Sequence, residues 1–165
     1  METQKLEKST AIQMFRTGSS EIKKILISTF GSECFTGNAI DRCNSYEDFY
    51  NEADLETKKE FMIYSTDQPY IVAEKKLMLI IRMVNYDEVN YIEFIPDLRN
   101  VNQKKWYPIF TLPSGSGFDF SDSLYYCTSA STNAGLRLCF AREKDCERIA
   151  KKFIDLYEQY ITFKN

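Results

Sequence analysis

The chain has 165 residues, 21 Lys+Arg against 24 Asp+Glu for a formal charge of -3, and no histidine. The missing imidazole excludes the Ser-His-Asp and Cys-His nucleophile systems, histidine-based zinc and iron sites, and a charge switch between about pH 5 and 8. The length suits a single domain over 1–165 that buries about 70% of its extended surface without staples, and 44% hydrophobic with 15% aromatic residues is a globular composition rich in rings.

In chain order, a weak amphipathic stretch from Leu6 to Phe15 stops at Thr17-Gly18. Ser19-Ser20-Glu21 then caps a second helix through Ile22, Ile25, Leu26 and Phe30, closed by Gly31. Ser45-Tyr46-Glu47-Asp48 has the spacing of a capping box and starts a short helix to about Ala53. The span from Leu55 to Asp67 has no clear period. From Gln68 to Asn85, Pro69 at a first helical position and apolar steps at Ala73, Leu77, Ile80, Ile81 and Val84 predict a central helix, broadened by Leu79 and Met83.

After Pro96 the period changes to two. Trp106, Ile109-Phe110, Phe118-Asp119-Phe120, Leu124 to Thr128 and Leu136 to Phe140 read as a small antiparallel sheet of three or four strands. A long C-terminal helix from Arg142 to about Tyr160 follows, with a stripe of Cys146, Ile149, Phe153, Leu156, Tyr157 and Tyr160 that packs on the sheet. The expectation is an α+β fold, helical over about 1–95, with sheet and terminal helix over about 96–165.

The five cysteines, Cys34, Cys43, Cys127, Cys139 and Cys146, are odd in number and form no C-x-x-C pair, which fits a reducing bacterial cytosol rather than a disulfide framework or a zinc site. The longest apolar stretch, Leu77 to Val84, is interrupted by Arg82 and falls short of the roughly 18 residues of a membrane span. The acidic balance argues against nucleic acid, with Lys104-Lys105 and Lys151-Lys152 as solvated edges. The segment Pro113 to Ser123 contains Gly115-Ser116-Gly117, which lacks the lysine or following helix of a phosphate loop and reads as a hairpin turn. Asp119 and Asp122 lack the oxygen spacing of a calcium loop. Arg137, on an alternating strand, is a solvent-side arginine or a bidentate partner for Asp119 or Asp122. Cys139 and Cys146, near Arg142 and a helix start, are more readily core thiols than nucleophiles.

The strings Asn-Gln-Lys-Lys-Trp-Tyr-Pro-Ile-Phe at 102–110, Ser-Gly-Phe-Asp-Phe-Ser-Asp-Ser at 116–123, Arg-Leu-Cys-Phe at 137–140 and Ala-Lys-Lys-Phe-Ile-Asp-Leu-Tyr at 150–157, with Asp41-Arg42 and Ser45 to Asp48, are similar to those of a family of small uncharacterised proteins of gut Bacteroidales genomes, prophages and phages. The resemblance implies a mobile-element origin and supplies no catalytic residues. The expected function is therefore a non-enzymatic, phage- or prophage-encoded protein that binds a host or virion protein partner, with no cofactor, metal or membrane. Its expected binding residues are Trp106, Tyr107, Phe118, Asp119, Asp122 and Arg137, an aromatic-and-arginine set of the kind interfaces favour. The alternatives are a small-ligand binder that sequesters a nucleotide signal through Gly115, Gly117 and Arg137, and a virion structural protein.

Overall fold

Local chemistry sets the helical half. Helix α1 (Lys8–Thr17) ends at Gly18, where a Cβ would lie 2.4 Å from the carbonyl oxygen of Met14, so the tight exit admits only glycine. Ser19 caps α2 (Ser20–Phe30) by accepting from the Ile22 N–H, and a 3-10 turn over Ser32–Phe35 stacks Phe35 on Phe15 at 4.4 Å. After α3 (Ala39–Arg42), Ser45 and Asp48 form the expected capping box of α4 (Tyr46–Glu52). The ambiguous span contains α5 (Leu55–Glu60), started by Asp54, whose carboxylate accepts the Thr57 N–H at 2.7 Å. Helix α6 (Pro69–Asn85) begins at its proline and buries Ala73, Leu77, Leu79, Ile80, Ile81 and Val84, so it is enclosed on more than one side. The computed structural model describes residues 6–35, 37–87, 92–97, 99–112, 117–126 and 138–163.

The fold is α+β, with eight helices and two antiparallel strand pairs among the described residues. A short pair joins β1 (Tyr86–Asp87) to β2 (Ile92–Glu93). The larger pair joins β3 (Lys105–Thr111) to β4 (Asp119–Tyr126) in a register that sets Trp106 against Tyr125 and Ile109 against Asp122. A bulge follows, because Phe110 pairs with Phe120 and Ser121 is left over. On its other edge β3 meets a single residue: Trp106 and Phe140 exchange both backbone hydrogen bonds, at 3.0 and 2.9 Å. The sequence leads one to expect three or four strands in one sheet. Among the described residues the sheet is a two-stranded ladder with this one bridge, and Cys127, Thr128, Leu136 and Arg137 lie outside those residues.

The C-terminal helix also differs from expectation, since α7 (Glu143–Lys152) and α8 (Ile154–Thr162) replace one continuous rod. The break is at Phe153, whose φ of -117° and ψ of 35° leave the helical region while its ring packs edge-on against Phe49 at 6.0 Å. The two halves have different work: α7 crosses β3 and β4, and α8 runs along α6. Residues from both ends of the chain share one apolar core, with Ile40, Phe49, Leu77, Ile81, Phe140, Ile149 and Tyr157 all buried in it.

Two charged residues expected at the surface, or unremarked in the sequence, are internal. Glu52 is buried between Arg42 at 2.9 Å and Lys8 at 2.7 Å. Lys105 is fully buried and donates to the Gln103 carbonyl at 2.8 Å, which corrects its reading as a solvated edge. Lys152 is likewise engaged, donating to the Cys43 carbonyl at 2.7 Å, while Lys151 lies 5.0 Å over the Phe120 ring.

Candidate functional site

The β3–β4 ladder has two faces because directly opposed residues of an antiparallel pair point the same way. One face carries Trp106, Phe110, Phe120 and Ser123 and lies under the terminal helices: Phe110 approaches Tyr157 to 4.8 Å, and the Ser123 hydroxyl donates to Glu147 at 3.5 Å. The other carries Lys105, Tyr107 and Ile109 opposite Tyr126, Leu124 and Asp122.

This arrangement divides the residues singled out in the sequence. Trp106 is half-buried, its ring 5.0 Å from Tyr125, and Phe118 is stacked on Phe110 at 4.7 Å against the core. Tyr107 is buried and hydrogen-bonded to the Cys139 thiol; burial raises the phenol pKa well above its usual value, and the neighbouring thiol adds to the shift. Asp119 and Asp122 are exposed at the far end of β4, where an Asp122 oxygen accepts the Ser123 N–H at 2.8 Å. Gly117 is exposed with φ of +90°, a backbone shape suited to a turn. Gly115 and Arg137 lie outside the described residues, as does the suggested contact of Arg137 with Asp119 or Asp122. The aromatic members thus face mostly inward and the acids outward.

What the hairpin offers to solvent is a different trio on β4: Leu124, Tyr125 and Tyr126 are 44%, 47% and 36% exposed. Lys104 stands 4.6 Å over the Tyr125 ring, so the strand runs from an acidic end at Asp119 and Asp122 to a basic one. Along β4 only Ser123 is buried. The sequence signal for this was available in Asp-Phe-Ser-Asp-Ser-Leu-Tyr-Tyr, a strand without an alternating apolar face.

The buried thiols do not supply a nucleophile. Burial pushes Cys43 up to about 12 and Cys139 up to about 11, and Cys146 is raised further, so all three are protonated at neutral pH. Cys127 lies outside the described residues. Among the described residues no three of His, Cys, Asp and Glu group to hold a metal, and no helix is long and apolar enough to cross a membrane.

A cleft of about 470 Å³ opens where α6 ends, bounded by Val84, Phe94, Ile95 and Arg142. Its wall is fixed by Asn85, whose amide donates to the Cys139 carbonyl at 2.7 Å and accepts the Ala141 N–H at 3.0 Å. Arg142 there is engaged by Asp145, and Glu93 by Arg82 at 3.3 Å. These charged groups are partnered within the protein, so the cleft presents a largely apolar interior without a free charge pair. In comparisons with known proteins, no family model, curated protein or solved structure matches the chain.

Proposed function

We propose that the chain is a non-enzymatic binding protein, encoded by a phage or prophage, that engages a host or virion protein in the bacterial cytosol through strand β4. The observation that carries this reading is the exposure of Leu124 and Tyr126 beside Asp122 on one face of β4, with Tyr125 exposed next to Trp106 on the other, on a strand whose pairing, among the described residues, is on one side only. Such an edge suits recognition by strand addition, in which backbone hydrogen bonds supply affinity and alternate side chains supply selectivity. Exposed tyrosines add large contact area at low entropic cost. The protonated, buried thiols of Cys43, Cys139 and Cys146 favour contact over catalysis.

A photo-crosslinking amino acid at Leu124, with the chain expressed in its bacterial host, tests the reading. One dominant adduct is expected, lost when Tyr126→Ser is added and retained when Ser123, on the buried face, is changed to Ala. Adducts spread evenly over abundant proteins, or none, would sink it. Recovery of the chain from purified particles would place the partner in the virion.

A further inference from the structure

A second surface, distant in sequence from the hairpin and independent of it, combines tyrosine rings, lysines and an apolar floor. Tyr46 and Tyr50, four apart on α4, present one helix face with ring centroids 5.9 Å apart. Together with Met62 and Ile63 from the segment after α5 they line a cleft of about 210 Å³. Met62 and Tyr50 are 45% and 41% exposed, and Tyr64 beside them is 57% exposed. These residues were not singled out in the sequence because they come from separate elements that only the fold brings together.

Each of the three tyrosines carries a lysine. Lys76 lies 4.8 Å from the Tyr46 ring centroid, Lys58 5.1 Å from that of Tyr50, and Lys75 4.8 Å from that of Tyr64. Lys75 holds the segment in place by donating to the Met62 carbonyl at 2.9 Å and to Asp67 at 2.7 Å, and Asp67 also accepts the Tyr64 N–H at 2.8 Å; Lys58 makes only a long 3.5 Å bond to the Asn51 carbonyl. That lattice of bonds fixes the floor before any partner arrives, which lowers the ordering cost of binding. Burial, then Tyr50 and Glu47, raise the Tyr46 phenol pKa, which places an acid near the rim; among the described residues Lys58 and Lys76 form no ion pair of their own, and Lys75 pairs with Asp67.

We propose that this cleft binds an acidic peptide segment of a partner protein, taking one large apolar side chain onto Met62 and Ile63 while Lys58 and Lys76 meet the flanking carboxylates. The size argues for a single side chain, because drug-sized ligands occupy roughly 300–1,000 Å³. Nucleic acid fits less well: base stacking needs free ring faces, and one face of Tyr46 and of Tyr50 already bears an ammonium. An aliphatic side chain needs only the ring edges and the apolar floor.

Fluorescence anisotropy with the full chain tests this. The probe is a short labelled peptide with a central leucine flanked by aspartates; the comparisons are the same peptide with serine for leucine, and a labelled oligothymidylate. Saturable binding of the leucine peptide is expected, weakened about tenfold or more by the serine exchange, by Met62→Glu and by Lys58→Glu with Lys76→Glu. Thermal midpoints of these variants should stay within a few degrees of the parent, since Met62 is exposed and Lys58 and Lys76 are only half-buried and, among the described residues, form no ion pair. Tyr126→Ser should leave peptide binding intact, which separates this surface from the hairpin. Equal binding of the serine peptide would reduce the site to diffuse charge attraction, preferential binding of oligothymidylate would assign it to nucleic acid, and no binding of the peptide would remove it; each overturns the proposal.

Discussion

Strands β3 and β4 lie in one ladder and are both rich in rings, yet they have opposite fates. On β3, Lys105 and Tyr107 are buried; on β4 only Ser123 is. The difference is in their neighbours. Strand β3 has β4 on one side and Phe140 on the other, whereas β4 has β3 alone among the described residues. A side chain on the flanked strand loses water from the edge as well as from the face, and burying a large apolar group contributes roughly 1.5–3 kcal/mol. Position in the sheet, more than composition, separates core rings from rings available to a partner.

Four measurements sharpen or break that contrast. The largest effect is expected from Phe140→Ala, which empties a fully buried ring position beside Trp106 and should cost about 3–5 kcal/mol in urea unfolding. A loss below about 1 kcal/mol would mean that this neighbour is not what encloses β3. Asn85→Ala comes next, at about 1–3 kcal/mol, because the Cys139 carbonyl and Ala141 N–H lose their amide partner. Third, the burial of the Cys139 thiol should show in alkali. Burial favours the protonated thiol, lifting Cys139 from 9.0 to about 11 in the folded chain, so this contribution is complete below the unfolded thiol value and is lost as pH rises through about 11. The urea midpoint should hold to about pH 8 and fall between about pH 9 and 11, and Cys139→Ser should shallow the decline. The smallest effects belong to β4: Leu124→Ser and Tyr126→Ser should each stay within about 0.5 kcal/mol of the parent by thermal melt. A loss of several kcal/mol there would return β4 to the core.

Where local chemistry was sufficient, the sequence was readable. Pro69 and the apolar steps to Val84 marked α6, and Ser45 with Asp48 marked α4. Helix α5 escaped because it starts on an Asp54 cap but has no apolar stripe; its Leu55 is exposed. The stripe from Cys146 to Tyr157 continues across the break at Phe153, so periodicity alone could not reveal two helices. In the hairpin the location of the rings was legible and their facing was not, since the bulge at Ser121 shifts the alternation that would have assigned it. Lys105 looked like a surface charge because its carbonyl partner at Gln103 is made by the turn, which no spacing announces. The cleft at Tyr46 and Met62 is a product of tertiary contact between α4 and the chain after α5.

The Asn85 amide also has to wait for its partners during synthesis. Its two backbone partners lie 54 and 56 residues further along the chain, so at about 5–20 residues per second they are made roughly 3 to 11 s after Asn85 itself. The bond from Lys152 to the Cys43 carbonyl spans 109 residues and closes later still, after roughly 5 to 22 s on the same scale. The segment from Asp41 to Phe49, whose partners Arg148, Lys152 and Phe153 are made last, therefore stands without its final neighbours for longer than the end of α6 does.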